Sequence, residues 1–207
     1  MRRGGVHVAV EGLDGSGKST LIAGLAARLA GRFEVREFRL PDPAAFAGPD
    51  LLRVLAKESP PPSPEVLALG FAANRLASYE LTLAPWLDAV PDRIALSHRY
   101  VLSGLAYQSA DGVPLPWLLT LNERVPRPDL TIFIDTDPAV CEERIGNRQH
   151  AELFENQFTR MRAAYLSAID VLSADGWPIQ IVDGALSETD LAEATLELIV
   201  KLWPEGL

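Results

Sequence analysis

The chain has 207 residues, enough for one α/β domain with a substantial core and too few to require two. With 48% hydrophobic and 23% charged residues it is globular, and no apolar run reaches the roughly 20 residues that cross a bilayer. A net charge of −9 argues against a broad nucleic-acid-binding face, so any anionic ligand must be met by local arginines.

The start, "MRRGGVHVAV", is basic, but its apolar run is too short for a secretory leader and passes directly into a glycine-rich loop. The expectation is a cytosolic protein. A single cysteine, Cys141, excludes an internal disulfide or a cysteine metal cluster and reads as a small buried hydrophobe.

Alternation over residues 6–10 predicts a strand, followed by "EGLDGSGKSTL". Gly12, Gly17, Lys18 and Ser19 fit the phosphate-cradling pattern G-x-x-x-x-G-K-[ST]. The loop's backbone N–H groups and the dipole of the following helix favour an anion, and Gly12, Gly15 and Gly17 allow close approach. The nucleotide-binding set is thus Gly12, Leu13, Asp14, Gly15, Ser16, Gly17, Lys18, Ser19 and Thr20. Within it Lys18 can reach the β and γ phosphates of a bound nucleotide, and the Ser19 hydroxyl can ligate Mg²⁺.

Leu21, Leu25 and Leu29 continue as a helical stripe, and further strands are predicted at 33–38, 94–97, 130–134 and 179–182. Helical segments between them imply a parallel sheet covered on both faces, with any ligand crevice at the strands' carboxyl ends. Ser63 and Pro64 close the Pro-rich run 59–64 as an N-cap and first turn; Ser187 and Asp190 have capping spacing before a closing helix. "LTIFIDTDPAV" offers Asp135 as the end of a Walker B strand, or Asp137 and Pro138 as an ordinary strand-to-helix turn. Arg53, Arg75, Arg99, Arg144 and Arg148 stand in contexts unlike surface charges. Arg99 directly follows a strand at the phosphate-loop edge, where a guanidinium can grip phosphate bidentately.

The blocks "VEGLDGSGKST", "GPDLLRVL", "FAANR", "HRYVLSGLAYQ", "LNERVPRPDLTIFIDTDP" and "RIGNRQHAELFE" resemble those of the thymidylate kinase family, in its order, with "VDGA" as the adenine-side loop. The resemblance implies an α/β, three-layer P-loop NTPase fold: a five-stranded parallel sheet with helices on both faces and a short helical lid. It spans 1–207 as one kinase domain, the lid at about 144–156. It implies transfer of the ATP γ-phosphoryl group to dTMP with Mg²⁺, no nucleic-acid polymer or membrane partner, and a homodimer. It favours the turn reading of Asp135.

By the same resemblance Asp14 receives the sugar 3′-hydroxyl, Phe71 stacks on thymine and Arg75 bonds its carbonyl edge. Arg53 and Arg99 hold the acceptor phosphate, Tyr100 packs beside the deoxyribose and Gln108 bonds the base. Gly15 replaces a catalytic arginine of some members, which shifts that charge to the lid, to Arg148 first and Arg144 second. Two departures are His98 in place of an Asp, and Arg39-Leu40-Pro41 in place of Arg-Glu-Pro. The other readings are a kinase for another nucleotide monophosphate, such as dUMP, or a regulatory homologue that binds nucleotide without turnover.

Overall fold

The computed structural model describes residues 4–146 and 151–202, with 151–156 described by backbone alone. Its strands are β1 (Val6–Gly12), β2 (Glu34–Arg39), β3 (Arg93–His98), β4 (Leu130–Asp135) and β5 (Ile179–Asp183). All pair in parallel in the order β2-β3-β1-β4-β5. All five predicted strands are present. The described helices are α1 (Lys18–Leu29), α2 (Gly48–Leu55), α3 (Pro64–Ser78), α4 (Ala84–Ala89), α5 (Val101–Ala110), α6 (Leu115–Asn122), α7 (Pro138–Ile145), α8 (Ala151–Ala174) and α9 (Glu188–Val200). A π-helical turn, Tyr79–Leu83, joins α3 to α4.

Side chains alternate across a strand, and this period divides the core into two layers. Val6, Val8 and Val10 of β1 pack with Leu21, Ile22 and Leu25 of α1 and Leu191 and Ile199 of α9. Ala9 and Phe133 face the opposite layer, against Leu102, Leu105, Leu118, Tyr165 and Leu172. Cys141 is fully buried there, as its composition suggests.

The expected caps form. The Ser63 hydroxyl accepts from the Val66 amide at 3.4 Å, with Pro64 opening α3. Asp137 accepts from the Ala139 amide at 2.8 Å, and Ser187 from the Asp190 amide at 3.2 Å. The chain leaves β1 for β2 on one side, past β3, and returns from β3 to β4 on the other side. The carboxyl end of β1 is therefore a topological switch point, where a crevice opens.

Candidate active site

The glycine-rich segment bridges β1 and α1 at this crevice. Gly17 precedes α1 with φ +98° and no side chain caps the helix, so its first amides remain available to an anion. A β-carbon on Gly15, at φ +79°, would lie 2.5 Å from the Cys141 carbonyl oxygen of α7. No side chain fits at this position. Arg144, near the end of α7, donates to the Gly15 carbonyl at 3.2 Å. Lys18 Nζ folds onto the loop, 3.0 Å from the Gly12 carbonyl oxygen and 2.6 Å from that of Leu13. Burial, assisted by the charge of Arg99, pushes its pKa down to about 8 despite Asp14 and Glu11.

Two cavities meet at the loop. The larger, about 790 Å³, is walled by 14–21, by Arg39, His98, Arg99 and Arg144, and by Gly184, Leu186, Glu188 and Leu191 on the "VDGA" side. The smaller, about 360 Å³, is walled by Leu67, Phe71, Asn74, Arg75, Tyr100, Ser103, Gly104, Tyr107 and Gln108. Asp14, Leu40, Pro41, Leu55 and Arg99 line both. Four cations in the larger cavity, Lys18, Arg39, Arg99 and Arg144, reverse the sign of the protein's overall charge where an anion would enter.

Arg99 sits at the boundary with φ +65°, a left-handed backbone that non-glycine residues seldom adopt. Its Nη1 donates to the Tyr165 hydroxyl at 2.7 Å, the Ser103 hydroxyl at 3.1 Å and the Gly12 carbonyl at 3.3 Å. Its Nη2 donates to Asp14 at 2.5 Å and to the Tyr107 hydroxyl at 3.1 Å. Its pKa lies well above the ordinary value: burial opposes the charge, but Tyr165, Tyr107, Asp14 and Glu11 outweigh it. Glu11, fully buried, holds the start of α5 by accepting from the Tyr100 amide at 2.7 Å, the Ser103 amide at 3.1 Å and the Ser103 hydroxyl. A strand carboxylate thus caps the helix that carries Ser103 and Tyr107.

In the smaller cavity Arg75 is only 5% exposed, and burial lowers its pKa to about 10. Its Nη1 donates to Asn122 Oδ1, while its Nε is buried without a partner. Phe71 and Gln108 join it in the wall. Tyr100 also lines the wall, but its hydroxyl turns away to the Pro126 carbonyl at 3.0 Å. The phenol that reaches Asp14, at 3.2 Å, is Tyr107.

Arg53 is the described exception. It is 63% exposed, 3.8 Å from Asp50, and outside both cavity walls, although Leu52 and Leu55 of the same helix line them. Arg148 lies outside the described residues. His98 lines the larger cavity with its Nε2 3.0 Å from Glu37 Oε2. Burial lowers its pKa against the opposing pull of Glu37. Asp135 is held by Arg162 through bonds of 2.6 and 2.7 Å, consistent with the turn rather than the Walker B reading.

Tyr107, Glu11 and Tyr165 were not among the expected site residues. Ser103 and Tyr107 follow Arg99 at intervals of four, a helical signal available in the sequence; Glu11 is an acid in an otherwise apolar strand. Tyr165 gives no such signal, because only the packing of α8 brings it there.

A hard divalent cation fits the donor chemistry. Ser19 is exposed and lines the larger cavity, and no three His, Cys, Asp or Glu side chains cluster as ligands among the described residues. That arrangement suits an ion carried mainly by phosphate and water rather than by a protein cage.

A family model for thymidylate kinase matches residues 10–193. A probable thymidylate kinase of Pyrobaculum calidifontis is 37% identical over 196 residues, covering 94% of this chain and 95% of the relative. Another from Pyrobaculum aerophilum is 34% identical, covering 94% and 96%. A thymidylate kinase of Nitrosomonas eutropha is 31% identical, covering 96% and 94%. Phosphate loop, boundary arginine and second cavity all fall inside the matched span, and the chain belongs to the thymidylate kinase family.

Proposed function

We infer that this protein transfers the γ-phosphoryl group of ATP to dTMP, giving dTDP and ADP. The observation that carries this reading is the junction of a phosphate-loop cavity with a second cavity through Asp14 and Arg99. A hydrolase needs only the first; a transferase needs two anions brought together.

In this reading the larger cavity takes ATP, with its phosphates on the amides of 12–20 and its base toward Gly184 and Leu186. The smaller takes dTMP: Phe71 stacks on the flat base, Arg75 and Gln108 bond its edge, and Asp14 accepts from the 3′-hydroxyl. Tyr107 on Asp14, with Tyr100 behind, walls the sugar. Arg99 holds the acceptor phosphate, whose ionised oxygen attacks the γ-phosphorus as its bond to the β-phosphate oxygen breaks. Lys18 and Arg144, joined by Arg148 from the lid, neutralise charge on the moving group, and Arg53 reaches the acceptor phosphate by leaving Asp50. Mg²⁺, held by Ser19 and the donor phosphates, would supply further neutralisation.

The proposed site of action is the cytosol; no helix among the described residues is long and apolar enough to cross a membrane. Exposed Val66, Leu69 and Leu81 on and beside α3 support a homodimer, measurable as twice the chain mass in light scattering. The test of the activity is ADP release from Mg-ATP with dTMP, dUMP, dCMP or AMP. Preferred stimulation by dTMP is expected. A dUMP preference overturns the acceptor assignment, and stimulation by none overturns the kinase reading.

A further inference from the structure

Gly104 occupies an interior position of α5, where glycine costs a helix about 1 kcal/mol relative to alanine. The backbone there is ordinary helix, so no left-handed conformation requires glycine. Space does. A β-carbon would stand 2.5 Å from Arg75 Nη2 and 3.2 Å from its Cζ. The guanidinium of α3 therefore lies directly on the α5 backbone, in a space that any side chain would fill.

Asn122 fixes the other side of the same group. Its Nδ2 donates to the Leu118 carbonyl at 2.8 Å, which turns Oδ1 toward Arg75 Nη1. With Nη1 engaged, Nε is buried without a protein partner, and Nη2 lies against the Gly104 backbone; Nε and Nη2 form one parallel, two-donor edge of the guanidinium. Arg75 lines the smaller cavity, and so does Gly104. Burial makes the arrangement exacting, since an unpaired buried donor recovers its lost hydration only from a ligand acceptor.

We propose that Gly104 and Asn122 are positioning residues that present the Nε–Nη2 edge of Arg75 to the acceptor base, favouring a pyrimidine with a keto oxygen at position 4 over one with an amino group. The inference rests on the acceptor-site reading of the smaller cavity. A keto oxygen accepts from the edge; an amino group opposes hydrogen to hydrogen and leaves the arginine unpaired. Neither positioning residue needs to touch the substrate.

The experiment compares Gly104→Ala, Asn122→Ala, Asn122→Asp and Arg75→Ala by steady-state kinetics with dTMP and dCMP, alongside thermal unfolding. Gly104→Ala is expected to raise the dTMP KM about tenfold, with a smaller effect on kcat and a narrowed dTMP-to-dCMP ratio of kcat/KM, the size set by a displaced charged hydrogen bond. Its melting temperature should change little, because the helical gain of alanine opposes the cost of moving the guanidinium. Asn122→Ala should act alike, whereas Asn122→Asp, which keeps an acceptor for Nη1 but loses the donor to the Leu118 carbonyl, should raise KM less than Asn122→Ala does. If Arg75→Ala raises KM and neither Gly104→Ala nor Asn122→Ala does, the positioning proposal fails while the acceptor-site reading stands. If Asn122→Ala and Asn122→Asp both keep the wild-type KM, the positioning role of Asn122 is overturned. If Arg75→Ala leaves KM unchanged, the acceptor-site reading itself fails. Should Gly104→Ala not fold, the two Asn122 variants decide.

Discussion

Asp14 and Arg99 form a 2.5 Å ion pair at the boundary of the two cavities, joining the phosphate loop to the residue that follows β3. Burial alone would raise the Asp14 pKa, but Arg99, Lys18 and the Arg99 and Tyr107 hydrogen bonds hold it below its ordinary value. Asp14→Ala should raise the dTMP KM by about tenfold through loss of the sugar acceptor. The pH sign is also fixed: a depressed carboxyl pKa stabilises the fold above the unfolded value, near about 4, and loses that contribution as pH falls through the folded value. Denaturant titrations of wild type and Asp14→Asn should therefore converge as pH drops below about 4. A stability difference that is constant with pH contradicts this linkage.

Gly15 is restricted by α7 as well as by its own backbone. At φ +79°, with the Cys141 carbonyl 2.5 Å from where a β-carbon would stand, Gly15→Ala should destabilise the protein by about 1–3 kcal/mol and weaken ATP binding. Arginine at this position should be no better tolerated. Thermal unfolding and ATP titration check both effects, and a wild-type melting temperature for Gly15→Ala would contradict the packing argument.

Asp135 ends β4 where a metal-organising carboxylate is plausible from sequence, yet both its oxygens are engaged by Arg162. Asp135→Asn should cost stability, about 1 kcal/mol for a partly exposed bidentate pair, while leaving the Mg²⁺ concentration for half-maximal turnover unchanged. A rise in that concentration would return Asp135 to the metal site.

These pairs show where sequence reading succeeds and where it stops. All five strands, the caps at Ser63, Asp137 and Ser187 and the position of Arg99 beside the phosphate loop follow from local spacing, because alternation and capping are properties of neighbours. The Arg162 partner of Asp135, the Tyr165 phenol on Arg99 and the Glu37 carboxylate on His98 each depend on packing between distant elements. Tyr100 and Tyr107 illustrate the boundary between the two cases: both stand in one readable motif, but only the turn of α5 determines that Tyr107 meets Asp14.

His7 provides a separate pH test. It lies in β1, its Nε2 2.7 Å from the Ser97 hydroxyl, its amide donating to Asp129, and its ring edge-on to Tyr100 at 4.7 Å. Burial lowers its pKa from 6.5 to about 3, so it is neutral in the folded wall behind the smaller cavity. The unfolded chain binds a proton below pH 6.5 that the folded chain resists until about pH 3. The resulting stabilisation is complete above the unfolded value and declines as pH falls between them, by at most about 1.4 kcal/mol per pH unit. His7→Gln removes this titration while keeping a polar partner for Ser97. Urea unfolding of the two proteins should show the wild type losing stability faster than the variant from about pH 6 to pH 4; parallel losses would place the His7 pKa near its unfolded value.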